Sequence, residues 1–235
     1  AIDRFVLQKL EAKKLRPAKP ADERVWIRRV HFAITGLPPK LQDIDAFLND
    51  KSKNRRRTLV RALLDSPHYG ERWARHWMDL VRYAESRGHE SDAILPNAYR
   101  YRDYLVRAFN TDLPYDALVT EHLAGDLLEH PRLHHETGAN ESILATGWPF
   151  FGEENGTPVN LRQDECERLD NKVDVMSKTF LGLTIACARC HDHKFDAIRQ
   201  SDYYAMAGLI LSSSYRQARF ESMEQNKVVA SKLEG

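Results

Sequence analysis

Ser66-Pro67-His68-Tyr69-Gly70-Glu71-Arg72-Trp73-Ala74-Arg75-His76-Trp77-Met78-Asp79-Leu80-Val81-Arg82-Tyr83-Ala84 is the stretch that decides the fold class. Ser66 offers a side-chain oxygen to the free amides of a helix start, and Pro67 suits the first helical position, where no amide donor is needed. Beyond them Trp73, His76, Trp77, Leu80, Val81 and Ala84 fall at offsets 0, 3, 4, 7, 8 and 11, the period of one helix face. The spacing predicts a helix whose apolar stripe carries two indoles and an imidazole.

The segments on either side repeat the helical period. Toward the N-terminus, Ile2, Phe5, Val6 and Leu10 predict an amphipathic helix ending before Pro17. Asp22 to Phe32 predicts a second, stopped by Thr35-Gly36-Leu37-Pro38-Pro39. Leu41 to Leu48 and Arg57 to Leu64 follow, and the Arg55-Arg56-Arg57 run reads as a solvated helix start rather than a phosphate site. Toward the C-terminus, Tyr99 to Phe109 and Pro114 to Leu128 are helical, and residues 130–158 are broken by Gly and Pro into a long irregular connection. Leu161 to Leu181 resumes the period, with Gly182 as its C-cap, and Ser201 caps a closing helix, Asp202 to Leu211. No segment alternates as a strand would. The expected class is therefore mainly α: an irregular multi-helix domain with long loops over residues 1–220, followed by a polar tail or linker over 221–235.

At 235 residues, 42% hydrophobic and 29% charged, the chain can bury a sizeable core. Lys and Arg number 35 against 34 Asp and Glu, a net charge of +1, so no strong field favours nucleic acid or an anionic membrane. No apolar run approaches the roughly 18 residues of a membrane span. The opening Ala1-Ile2-Asp3 lacks an initiator Met, a signal peptide and a transit segment, which reads as a processed or excised part of a longer chain. Three cysteines exclude a disulfide scaffold.

Two of those cysteines are spaced to act together. Cys187-Ala188-Arg189-Cys190-His191 is a C-x-x-C-H motif, the spacing at which two thiols add to the vinyl groups of one haem and the following imidazole becomes its proximal ligand. Three other readings compete, the blandest being that all three thiols are simply buried, as free Cys often is. Cys187, Cys190, Cys166 and either His191 or His193 would make a tetrahedral zinc site. A thioredoxin-like redox pair would need βαβ strands, and none precede the motif.

The segments Tyr69-Gly70-Glu71-Arg72-Trp73-Ala74-Arg75-His76-Trp77, Thr35-Gly36-Leu37-Pro38-Pro39 and Cys187-Ala188-Arg189-Cys190-His191-Asp192-His193-Lys194-Phe195-Asp196 resemble a large planctomycete-type cytochrome c family built around a domain of unknown function. Ile2-Asp3-Arg4-Phe5-Val6 and Tyr99-Arg100-Tyr101-Arg102-Asp103-Tyr104 extend the resemblance over nearly the whole chain. The departures are mild: Ala197 stands where Pro usually follows Phe-Asp, and Met78 replaces a Leu. The resemblance implies haem binding, export to a periplasmic or other extracytoplasmic compartment, and flanking cytochrome-like or uncharacterised modules. It supplies no substrate.

The expected cofactor is thus one covalent haem c, held by Cys187 and Cys190 with His191 on the iron, and the expected partner is a redox protein or a neighbouring cytochrome domain. His76 is the first candidate for the second axial position, with His193, Met206 and Met176 behind it. Arg189 and Lys194 are placed to pair with haem propionates, and Trp73 and Trp77, with Phe180, to form a haem wall. The expected function is electron transfer. A haem enzyme with an open sixth position is the alternative, with Asp79, Arg82, Tyr83, Glu153 and Glu154 as its distal acid and base groups. A colourless zinc-stapled interaction domain is the third reading.

Overall fold

Eleven α-helices form among the described residues of the computed structural model, which are 2–88, 92–152, 154, 157–219 and 221–233. They run α1 (Ile2–Ala12), α2 (Glu23–Ile34), α3 (Leu41–Asn49), α4 (Arg55–Leu64), α5 (Pro67–Leu80), α6 (Ala98–Asn110), α7 (Tyr115–Ala124), α8 (Glu141–Ala145), α9 (Leu161–Met176), α10 (Gln200–Leu211) and α11 (Met223–Leu233). No strand forms among them, only the isolated bridges Ser86 with Ile94 and Leu133 with Asn140. No helix among them is long and apolar enough to cross a membrane.

The contacts divide the chain into two compact units, Ala1–His68 and Tyr69–Gly235, a boundary that a single domain over 1–220 does not draw. The tail expected at 221–235 carries α11, and the connection expected at 130–158 folds α8 and a short turn of 3-10 helix, Trp148–Phe150.

In the first unit α2 packs on α3 and α4. Asp22 caps α2 by accepting from the Arg24 amide at 2.9 Å. Ile27, Phe47 and Leu63 are buried, with Trp26 stacked on Phe47 at 5.4 Å. The arginine run grips the outside of this core: Arg55 and Arg56 both reach Glu23 at 2.9 Å, and Arg56 lies over the Trp26 ring. It is a helix start facing solvent, as its sequence suggests.

The second unit is built on α5. Its buried residues are Gly70, Ala74, Trp77 and Val81, at offsets 0, 4, 7 and 11, a stripe rotated from the expected one. Trp73, His76 and Leu80 are exposed. The physical reason is close packing: a Cβ at Gly70 would lie 2.4 Å from the Val106 carbonyl oxygen, so α6 approaches α5 where the side chains are smallest. The Gly70 amide, one of the free donors of the helix start, donates to Asn110 Oδ1 at 2.8 Å. Around this contact Trp77, Tyr101, Tyr104, Leu105, Leu118, Trp148 and Phe151 form the main core. A smaller core, Val173, Ile185, Ala188, Ile198, Tyr203 and Ala207, joins α9 and α10 to the segment that carries the cysteine motif.

Candidate functional site

Gly182 takes up the left-handed conformation after α9 and a π-helical turn, Ser177–Leu181, and turns the chain into a 3-10 helix, Ile185–Arg189. A 3-10 helix has three residues per turn, so positions i and i+3 eclipse. Ile185 and Ala188 therefore share the edge buried against α9 and α10, while Cys187, on the same helix, and Cys190, just past its end, are both exposed. The C-x-x-C spacing of the sequence is in space two exposed thiols on an anchored turn.

His191 follows on the surface. Its Nδ1 lies 2.7 Å from the Asp192 carbonyl oxygen, which can only accept, so Nδ1 carries the proton and Nε2 carries the lone pair. That is the tautomer a metal-ligating imidazole needs, fixed by the backbone beside it. Asp192 is fixed in turn, because its Oδ1 accepts from the Gln200 amide at the start of α10 at 2.8 Å.

His193 has a different role. Its Nδ1 accepts from the amides of Asp196 at 2.9 Å and Phe195 at 3.3 Å, so Nε2 bears the proton and donates to Thr184 Oγ1 at 3.0 Å. Both nitrogens are used to staple the far end of the motif loop to its beginning, which removes His193 from the candidate axial and zinc ligands.

Arg189 and Lys194 also have partners. Arg189 pairs with Asp170 of α9 at 3.2 Å, and Tyr203 donates to the same carboxylate at 2.8 Å. Lys194 lies 5.2 Å over the Phe195 ring. Phe195, 82% exposed, and the exposed Tyr204 and Leu183 leave apolar surface around the thiols; the Tyr204 hydroxyl reaches the Arg189 carbonyl at 3.3 Å. Cys166 is exposed on α9. Among the described residues no group of three or more His, Cys, Asp or Glu side chains converges as a metal site.

His76 is exposed, with its ring 5.5 Å from that of Trp73. Trp77 and Phe180 belong to the main core, Met176 packs against that core, and Met206 packs against the smaller one. Tyr83 donates to Glu85 at 2.8 Å, and Glu154 pairs with Arg87 and Arg168; Glu153 lies outside the described residues.

The buried imidazole that sequence reasoning sought at His76 is His122 on α7. Its Nδ1–H donates to the Leu118 carbonyl at 2.7 Å, and its Nε2 accepts from Trp77 Nε1 at 3.0 Å and from the Tyr101 hydroxyl at 2.8 Å. Burial pushes its pKa down to about 4 from 6.5, against the smaller opposing pulls of the Leu118 carbonyl and Glu121. The unfolded chain therefore binds a proton that the folded chain refuses in that interval, and stability is fully present above pH 6.5 and is lost as pH falls toward 4. Over the whole interval the loss is about 3 kcal/mol at 1.36 kcal/mol per pH unit. Urea unfolding at pH 8 and pH 5 is expected to show His122→Gln losing about 2 kcal/mol less than the wild type on acidification. Parallel pH dependences in the two proteins would contradict a neutral buried His122.

Compared with known proteins, residues 1–215 match the profile of the family described as PSCyt2, protein of unknown function (DUF1549). No curated protein and no solved structure matches the chain.

Proposed function

From the premise that the chain belongs to the PSCyt2 (DUF1549) family, we propose that its second unit is a c-type cytochrome domain, carrying one covalent haem on the Cys187–His191 turn and transferring electrons within an exported redox protein. The observation that carries this reading is the exposure of both Cys187 and Cys190 on an anchored turn, next to an imidazole whose Nε2 is left as the lone-pair nitrogen.

The donor set fits the group. A tetrahedral zinc site in protein gathers three or four side chains, whereas the described residues bring no three together and His193 is engaged at both nitrogens. A haem asks less of the chain, since the porphyrin brings four nitrogens of its own. Two exposed thiols at this spacing and one oriented imidazole suffice.

In this reading Cys187 and Cys190 anchor the porphyrin edge, and His191 Nε2 is the proximal ligand. The Asp192 carbonyl holds the ring in the ligating tautomer and strengthens its donation to iron. Ile185 and Ala188, buried against α9 and α10, hold the turn rigid so that the two sulfurs keep their spacing. Phe195, Tyr204 and Leu183 offer apolar surface for a macrocycle to cover. When bound, haem supplies a one-electron couple, and the protein sets its placement and potential. The exposure of the motif suits transfer to a redox partner or a neighbouring cytochrome domain. Export is part of the proposal, because thioether formation to haem is an extracytoplasmic step in the family that the sequence resembles.

The test is a visible spectrum of protein from its native source, taken after acid-acetone extraction and again as the reduced pyridine complex. The expected result is a chromophore that survives extraction and has the absorption of a haem with both vinyls saturated. A colourless protein that releases zinc to a chelator would overturn it. A ferric spectrum that is high-spin and shifts at once with cyanide would instead favour the enzyme with an open sixth position.

A further inference from the structure

Arg82 occupies a position that chemistry assigns to glycine. It stands just past the end of α5, where the Tyr83 amide closes the helix on the Met78 carbonyl at 3.0 Å, and its φ is +57°. A non-glycine residue is strained there and persists where its surroundings or its function hold it.

Its side chain is held just as unusually. Nε and Nη2 are both closed to water and have no hydrogen-bond partner among the described residues. These two nitrogens lie on the same edge of the guanidinium, the side-on fork that receives the two oxygens of a carboxylate. Room for the group is made by Gly152, at φ +128°, where a Cβ would lie 2.8 Å from Arg82 Nη1. Two donors closed to water without an acceptor are unfavourable on this half-buried side chain, so the fork is set to turn toward any acceptor within reach.

What lies within reach is a cleft of about 1250 Å³, in whose wall Arg82 stands. The other cations of the cleft are already satisfied. Arg87 pairs with Glu154 at 3.1 Å, Arg168 pairs with Glu154 and Asp164, and Lys172 sits 4.6 Å over the Tyr215 ring. Asp174 is close enough to act on Arg82 electrostatically, but its carboxylate is held by Lys178 at 2.7 Å. Phe150 and Tyr215, edge to face at 5.3 Å, give the cleft an apolar wall. Among the described residues that line it, four are basic and four acidic, so they present no net positive field to a polyanion. None of residues 184–199 lines it, so this cleft is not the thioether site.

We infer that the cleft binds a small monocarboxylate, with its two oxygens on Nε and Nη2 of Arg82 and its apolar body along Phe150 and Tyr215. A turn about the terminal bonds of Arg82 carries the fork from the wall into the cleft as the ligand enters.

The test is a calorimetric titration of the purified chain with benzoate and with hexanoate, using benzyl alcohol and inorganic phosphate as controls. Saturable binding of at least one carboxylate, none of the alcohol, and at least tenfold weaker binding in both Arg82→Lys and Arg82→Met is expected. The ligand-free Arg82→Met protein is also expected to melt at a higher temperature than the wild type, since an unpaired buried charge has been removed. Absence of saturation by either carboxylate up to about 10 mM, a weak-binding ceiling, would overturn the inference. So would unchanged affinity in Arg82→Met, phosphate binding as tightly as benzoate, or a lower melting temperature in Arg82→Met, which would mark Arg82 as a structural partner of Asp174. None of these readouts depends on a chromophore, so they stand or fall apart from the cytochrome proposal.

Discussion

Serine at both Cys187 and Cys190 is expected to leave no haem that survives acid-acetone extraction, while the fold is unchanged. Both thiols are exposed, and the residues that anchor their turn, Ile185 and Ala188, lie on its other edge. Exchanging sulfur for oxygen on the exposed edge removes no buried contact, and a surface change of this kind alters stability by within about 0.5 kcal/mol. The chemistry is all that is lost, since a hydroxyl does not form the thioether. Each single variant is expected to keep one bond and to show the spectrum of a haem with one vinyl left. His191→Ala is expected to keep both bonds and lose the proximal nitrogen, separating attachment from ligation. Mass spectrometry gives the complementary reading on the wild type: protein from the native source should resist alkylation at Cys187 and Cys190 and accept it at Cys166. Extraction-resistant haem in the double variant, or free alkylation of both motif cysteines in the native protein, would sink the proposal.

The motif was legible because its information is local. Cys187 and Cys190 are carried out of one anchored turn and the Asp192 carbonyl fixes His191, so the six consecutive residues from Cys187 to Asp192 hold the motif. Helix positions were legible for the same reason, from the stretch that opens at Asp22 to the C-cap at Gly182. Which way α5 faces was not local. Counting large apolar side chains put Trp73, His76 and Trp77 inside together, but the inner face is set by how closely α6 can approach, and that favours Gly70 and Ala74. Trp77 is buried either way, while His76 turns out to solvent. His122 was missed for a related reason. It follows Glu121 on α7, and an acid beside a histidine reads as surface until the rest of the network is known. The signal available was indirect: Trp77, Tyr101, Tyr104 and Trp148 each bring a polar hydrogen into the core, and each needs an acceptor there. Arg82 was hidden by its conformation, since nothing in an arginine predicts a left-handed backbone. The unit boundary at His68 falls where no Pro- or Gly-rich linker marks it.

Glu121→Ala is expected to remove a large part of the stability of the second unit. Glu121 is 4% exposed and fully engaged. It accepts from the Tyr104 hydroxyl at 2.6 Å, from Ser142 Oγ at 3.0 Å, and from Nε and Nη2 of Arg132 at 3.0 Å each. Glu141, 1% exposed, takes Arg107 at 2.8 Å and lies 3.6 Å from Arg132, so two arginines and two buried carboxylates balance across α6, α7 and α8. Placing such charges inside gains little by itself, because desolvation offsets much of the attraction. Removing one is another matter. Alanine at 121 strands the Tyr104 and Ser142 hydroxyls and leaves Arg132 half paired, a change worth about 3–5 kcal/mol against the roughly 5–15 kcal/mol that holds a domain folded. Glu121→Gln, which keeps the shape and loses the charge, should fall between alanine and wild type. The variant that removes both Glu121 and Arg132 should lose less than the two single changes together, because the second deletion takes away the charge that the first left unpaired. Urea midpoints of the wild type, the Glu121→Ala, Glu121→Gln and Arg132 single variants and the double variant, with slopes checked for a common two-state transition, measure this directly. An alanine variant within about 1 kcal/mol of wild type would mean that water enters to replace the carboxylate and that the network is not what holds α7 to α8. A loss of the expected size, relieved in the double variant, would make these buried ion pairs the polar counterpart of the Gly70 contact: one sets how closely α5 and α6 approach, the other sets which groups on α6, α7 and α8 must meet.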